Sequence, residues 1–75
     1  MTARLVLAKN IRLIRDHRGF SQERLGEMSY LHRTYISSVE CGNRNISVDA
    51  IERIAIALGV NIQILFDEDL SLDGL

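Results

Sequence analysis

This sequence predicts an all-α fold, a compact domain of five helices, on three observations. Apolar residues return at three- and four-residue spacing in successive stretches, glycine or a small polar residue marks most of the breaks between them, and the chain has no proline and few aromatics. Seventy-five residues make one domain whose core is marginal unless a partner adds buried surface, so a dimer is the natural expectation.

In residues 3–17, Leu7, Ile11 and Ile14 share a face while Arg12, Arg15 and Asp16 fill the other positions, which describes an amphipathic helix of about four turns. Gly19 ends it, being suited to a left-handed cap. Ser21 is an N-cap for a short second helix over 22–28, with Glu23 in its positive first turn. Ser29-Tyr30-Leu31 breaks the pattern, and a third helix covers 32–40 with Gly42 beyond its end. Ser47 caps a fourth, to Leu58, whose Val48, Ile51, Ile54, Ala55 and Leu58 form one stripe closed by Gly59. Asn61 then caps a fifth over 62–66. The domain is expected to span residues 1–66, leaving 67–75 as an acidic, glycine-containing tail that frays.

No run of about eighteen apolar residues and no basic-then-apolar leader is present, which argues for a soluble, cytoplasmic protein. Cys41 is the single cysteine, and His17 and His32 have no acid or thiol at ligand spacing, so no metal or other cofactor is expected. No nucleophile and base stand out as a pair, so the chain does not read as an enzyme. The net charge of −1 conceals an asymmetry. All nine Lys and Arg lie between Arg4 and Arg53 among six acids, while Asp67, Glu68, Asp69 and Asp73 crowd the tail. Because potential acts over roughly one Debye length, about 8 Å in physiological salt, the body of the domain can still meet a polyanion.

Two short helices joined by a tight turn, with Gly26 allowing a close crossing, have the layout of a helix-turn-helix. On the second of them Ile36 and Val39 face inward, whereas Thr34, Ser37 and Ser38 lie away from the core and Arg33 and Tyr35 flank them. That outer face consists almost wholly of hydrogen-bonding groups.

Five segments carry a family resemblance: Phe20-Ser21-Gln22-Glu23-Arg24-Leu25, Arg33-Thr34-Tyr35-Ile36-Ser37, Val39-Glu40 with Gly42, Arg44-Asn45-Ile46-Ser47, and Ala57-Leu58-Gly59-Val60. They resemble the Cro/C1-type helix-turn-helix regulators of lambda-repressor-like fold, over about residues 7–66. Within that group the Arg-Thr-Tyr-Ile-Ser and Arg-Asn-Ile-Ser segments are most similar to the controller proteins of restriction-modification systems. The resemblance implies a homodimer on paired, palindromic operator half-sites in double-stranded DNA, activating and repressing transcription, with RNA polymerase a further partner when it activates. It also leaves open a phage-type repressor, or an antitoxin whose main role is to bind a protein.

Carried onto this chain, the resemblance places Arg33, Thr34, Tyr35, Ser37 and Ser38 toward bases or nearby phosphates, Gln22 on backbone phosphate, and Asn43, Arg44 and Asn45 on DNA from the following loop. The chemistry suits those roles, since an Arg fork matches guanine O6 and N7 and amide or cationic groups hold phosphate. Plainer alternatives stand beside them: Tyr35 packing its ring over the helix junction, 43–45 as ordinary turn chemistry, and Gln22 simply solvated. Glu40 would repel phosphate, and in similar repressors an acid there pairs with an arginine of the first helix, here Arg15.

Ile56, Ile62, Ile64, Leu65 and Phe66 exceed what one small core absorbs. A dimer interface at Ile56, Ile62, Leu65 and Phe66 is therefore expected. Two positions depart from the family pattern. Tyr30 occupies a turn site usually held by Gly or Asn, where positive φ would strain it by roughly 1–2 kcal/mol unless the turn is reshaped or the ring finds a contact. Cys41 stands where similar sequences often carry a basic residue.

Overall fold

Every α-helix in the computed structural model, which describes residues 2–75, starts at a residue whose side chain accepts a hydrogen bond from an amide of the first turn. Thr2 caps α1 (Ala3–Arg18), Ser21 caps α2 (Gln22–Ser29), His32 caps α3 (Arg33–Glu40) and Ser47 caps α4 (Val48–Leu58). Such a cap is worth about 1 kcal/mol, which matters most for α2 and α3, at eight residues too short to be stable alone. Met1, the first residue of the expected domain, lies outside the described residues.

The expected fifth helix is instead a 3₁₀ segment, Ile62–Phe66, so the described residues form four α-helices and one tighter turn. Five residues close with bonds such as Ile64 N–H to Asn61 O at 3.0 Å, and Asn61 makes no side-chain cap, so nothing supports the wider α-helical ring.

A side chain absent from the sequence reading holds this segment down. Asn10, 1% exposed on the inner face of α1, donates from Nδ2 to the carbonyls of Leu65 (3.1 Å) and Asp67 (2.7 Å), with Ile64 O at 3.4 Å. The Ile64 and Asp67 carbonyls also accept from the amides of Asp67 (3.3 Å) and Leu70 (3.2 Å), so Asn10 adds a buried donor to turns that backbone bonds already close. Leu65 is thereby drawn fully into the core.

The core runs through Ile11 and Ile14 of α1, Leu25 of α2, Ile36 of α3, Ile54 and Leu58 of α4, and Leu65. Each such side chain contributes about 1.5–3 kcal/mol on burial. Around it α2 packs on α3 and α4, while α1 lies across α3, α4 and the 3₁₀ segment. The acidic tail lays Leu70, Leu72 and Leu75 half-buried against this core.

Close approach of α2 to α3 depends on Gly26, which is buried: a Cβ there would sit 2.5 Å from the carbonyl oxygen of Leu31. At the end of α2, Tyr30 has φ 60° and ψ 37°, so the turn is not reshaped. Its ring is 87% exposed, and burial therefore does not offset the strain. Ser29, fully buried beside it, returns its hydroxyl to Leu25 O at 2.7 Å and so stays satisfied inside the turn.

Two stability predictions follow from the turn. Tyr30→Asn is expected to raise the unfolding free energy by about 1 kcal/mol in urea titration, because Asn tolerates the left-handed conformation. Gly26→Ala is expected to lower it by about 1–3 kcal/mol, the backbone carbonyl it meets having no room to retreat.

Candidate nucleic-acid interface

Arg15 and Glu40 set where α3 sits. Arg15 Nε donates to Glu40 Oε2 at 2.6 Å and its terminal nitrogen to Oε1 at 2.9 Å, a two-pronged pair between α1 and α3. The side chains are 11% and 4% exposed. The other guanidinium nitrogen donates to Phe20 O at 2.8 Å and lies 3.2 Å from Asp16. The hydrogen bond that Arg15 donates to Glu40 raises the Arg15 pKa above its ordinary value; desolvation opposes the rise and the charges of Glu40 and Asp16 add to it. A raised folded-state value gives stability that is complete below the ordinary arginine value and is lost only above it. This guanidinium therefore contributes a constant amount across neutral pH.

Gln22, at the first position of α2, joins the pair: its amide nitrogen donates to Glu40 Oε1 at 3.2 Å. It is half-buried, and one of its two amide hydrogens is committed inward, leaving one for any outside acceptor.

The reading face splits into a free part and a bound part. Arg33 and Thr34 are exposed at the start of α3, and Ser37 is half-buried one turn on. Tyr35 and Ser38 are tied to the loop. The Arg44 guanidinium lies 4.7 Å from the Tyr35 ring centroid, a cation–π contact, and Arg44 Nε donates to Ser38 Oγ at 3.1 Å. Ser38 Oγ in turn donates to Tyr35 O at 2.9 Å. The structure thus brings Tyr35, Ser38 and Arg44 together as one unit, with Asn43 and Asn45 exposed on either side of Arg44.

His32, which the sequence gives no ligand partner, is the N-cap of α3 and meets Thr34 twice. A histidine cap has no sequence signature as plain as that of serine, which is why it escaped notice. Cys41 is exposed at the end of α3 and, with Leu5, Lys9 and Arg12, lines a groove of about 560 Å³. No group of three or more His, Cys, Asp or Glu side chains is arranged to hold a metal among the described residues. No helix among them is long and apolar enough to cross a membrane.

The expected dimer residues are not in one place. Leu65 is 0% exposed and has no surface to offer, a correction to the sequence reading that follows from its capture by the Asn10 clamp. Phe66, 40% exposed, lines a groove with Leu7, Ile46 and Ile51, and Ile62 is half-buried on the same segment. Ile56, 73% exposed, lines a different one with Met28, Tyr30 and Arg53.

Helix α2 crossing α3 at a glycine, with a polar outer face on the second helix, defines a helix-turn-helix. A helix-turn-helix family model matches residues 11–65, and the chain belongs to that family. Among its relatives, the control protein C.BamHI of Bacillus amyloliquefaciens is 48% identical over 65 residues, covering 85% of this chain and 80% of that protein. The restriction-modification controller protein C.AhdI of Aeromonas hydrophila superposes with a TM-score of 0.82 at 36% identity, over 84% of this chain and 96% of that one. The controller protein C.Esp1396I, solved as a tetramer with its natural 35 base-pair operator, superposes with a TM-score of 0.80 at 33% identity, over 88% and 87%.

Glu40→Ala is expected to cost about 3 kcal/mol in thermal denaturation, because it strands a buried guanidinium. The double change Arg15→Met with Glu40→Leu is expected to recover most of that loss.

Proposed function

We propose that this protein is a sequence-specific DNA-binding regulator of transcription, the controller of a restriction-modification operon, acting in the cytoplasm as a homodimer. The observation that carries the reading is the outer face of α3, where Arg33, Thr34 and Ser37 stand free of the core while the buried Arg15–Glu40 pair fixes the helix that bears them. The similarity to C.BamHI over most of both chains supports the choice of operon.

In this reading α3 enters the major groove. Arg33 reads guanine, Thr34 and Ser37 meet base edges, and the unit of Tyr35, Ser38 and Arg44 follows the backbone with Asn43 and Asn45. The remaining amide hydrogen of Gln22 is free for a phosphate oxygen. Ile62 and Phe66 form the dimer surface, Ile56 standing apart on its own groove, and the dimer sets two reading helices about one DNA turn, near 34 Å, apart on a palindromic site. Occupancy of that site activates or represses, with RNA polymerase as the partner in activation.

Mobility-shift titration on DNA from upstream of the chain's own gene, at two salt concentrations, tests the reading. A steep fall in affinity with salt together with preference for one sequence is expected; binding indifferent to both overturns it. Arg33→Ala is expected to cost about 1–3 kcal/mol on the cognate site and to relax base preference at one position. Phe66→Glu is expected to give a monomer in sedimentation with loss of tight operator binding, and a persisting dimer would place the interface elsewhere.

A further inference from the structure

We infer that His32 is a specificity-determining residue: it orients the Thr34 hydroxyl to present only lone pairs, so that Thr34 recognises the exocyclic amino group of an adenine or cytosine in the major groove. The inference rests on the DNA-binding reading above and deepens it.

Two contacts fix the protons. The Thr34 backbone N–H donates to His32 Nδ1 at 3.1 Å, which requires Nδ1 to be unprotonated and the ring hydrogen to sit on Nε2. The Thr34 hydroxyl oxygen lies 2.8 Å from the same Nδ1. An unprotonated nitrogen cannot donate, so the hydroxyl does, sharing the one lone pair of Nδ1 with the Thr34 amide, and its single hydrogen is turned inside the protein. What Thr34 turns outward is an acceptor. Both residues are exposed, and Thr34 is the second residue of α3, in the first turn that meets base edges in this motif. In the major groove the donors are adenine N6 and cytosine N4, whereas N7, O6 and O4 are acceptors that this oxygen would repel.

The test uses the full-length protein and duplexes carrying a site selected by it from a random pool. Each adenine or cytosine of a half-site is replaced in turn by N6-methyladenine or N4-methylcytosine, which keeps pairing but blocks the groove-facing N–H. At one position wild type is expected to lose about five- to tenfold in affinity, and Thr34→Val is expected to be indifferent there. The discrimination is expected to vanish for His32→Ala. His32→Asn, whose Oδ1 can take the place of Nδ1 as an acceptor, is expected to keep it. Loss of affinity on 7-deazapurine substitution at the Thr34-dependent position, or discrimination that survives His32→Ala, overturns the inference and leaves the regulator reading intact. A pool that yields no enriched sequence overturns both.

Discussion

The placement of α3 depends on one buried ion pair. Two charges taken out of water lose several kcal/mol of hydration each, and their attraction compensates only when the remaining hydrogen-bonding capacity is also filled. Here it is filled: the Arg15 fork engages both oxygens of Glu40 and turns its remaining nitrogen to Phe20 O, while Gln22 supplies a further donor to the carboxylate. One pair therefore fastens α1 to α3, to the first residue of α2 and to the loop between α1 and α2. A hydrophobic contact would hold those elements together but would tolerate sliding, whereas a two-pronged hydrogen-bonded pair specifies distance and angle.

The same pair explains how a chain of net charge −1 can present itself to a polyanion. Glu40 sits beside the reading face but is neutralised and turned inward, and four of the ten acids lie beyond residue 66 in the tail. Of the exposed cations only Arg33 and Arg44 stand on α3 and the loop after it, so in the proposed complex discrimination rests on hydrogen-bonding groups held in fixed orientation. Three networks provide that: Gln22 with Glu40, Ser38 with Arg44 and Tyr35, and His32 with Thr34.

The four α-helices were legible because each joins a strong 3.6-residue repeat to a local start or stop signal, and local signals are what a sequence displays. Gly26 and Tyr30 were legible for a related reason, each being a backbone requirement at a known place in a motif. What escaped depended on partners distant in sequence. Asn10 reads as a polar interruption of the α1 stripe until the carbonyls of residues 64–67 arrive beside it, more than fifty positions later. That clamp decides the form of the last segment and removes Leu65 from the surface, so both misreadings have one cause. On the reading face residue types were legible and their engagements were not, as Ser38, whose hydroxyl is already occupied, illustrates.

The stack of Arg44 on Tyr35 bears on the energetics of arrival at a ligand. A free arginine on a loop loses roughly 2 kcal/mol of rotamer freedom when immobilised, and a loop that orders on contact loses backbone freedom as well. With the guanidinium already laid on the ring and tethered to Ser38, much of that ordering is complete in the isolated protein. In the proposed complex this side chain therefore needs little further ordering on contact, which keeps the entropic penalty small.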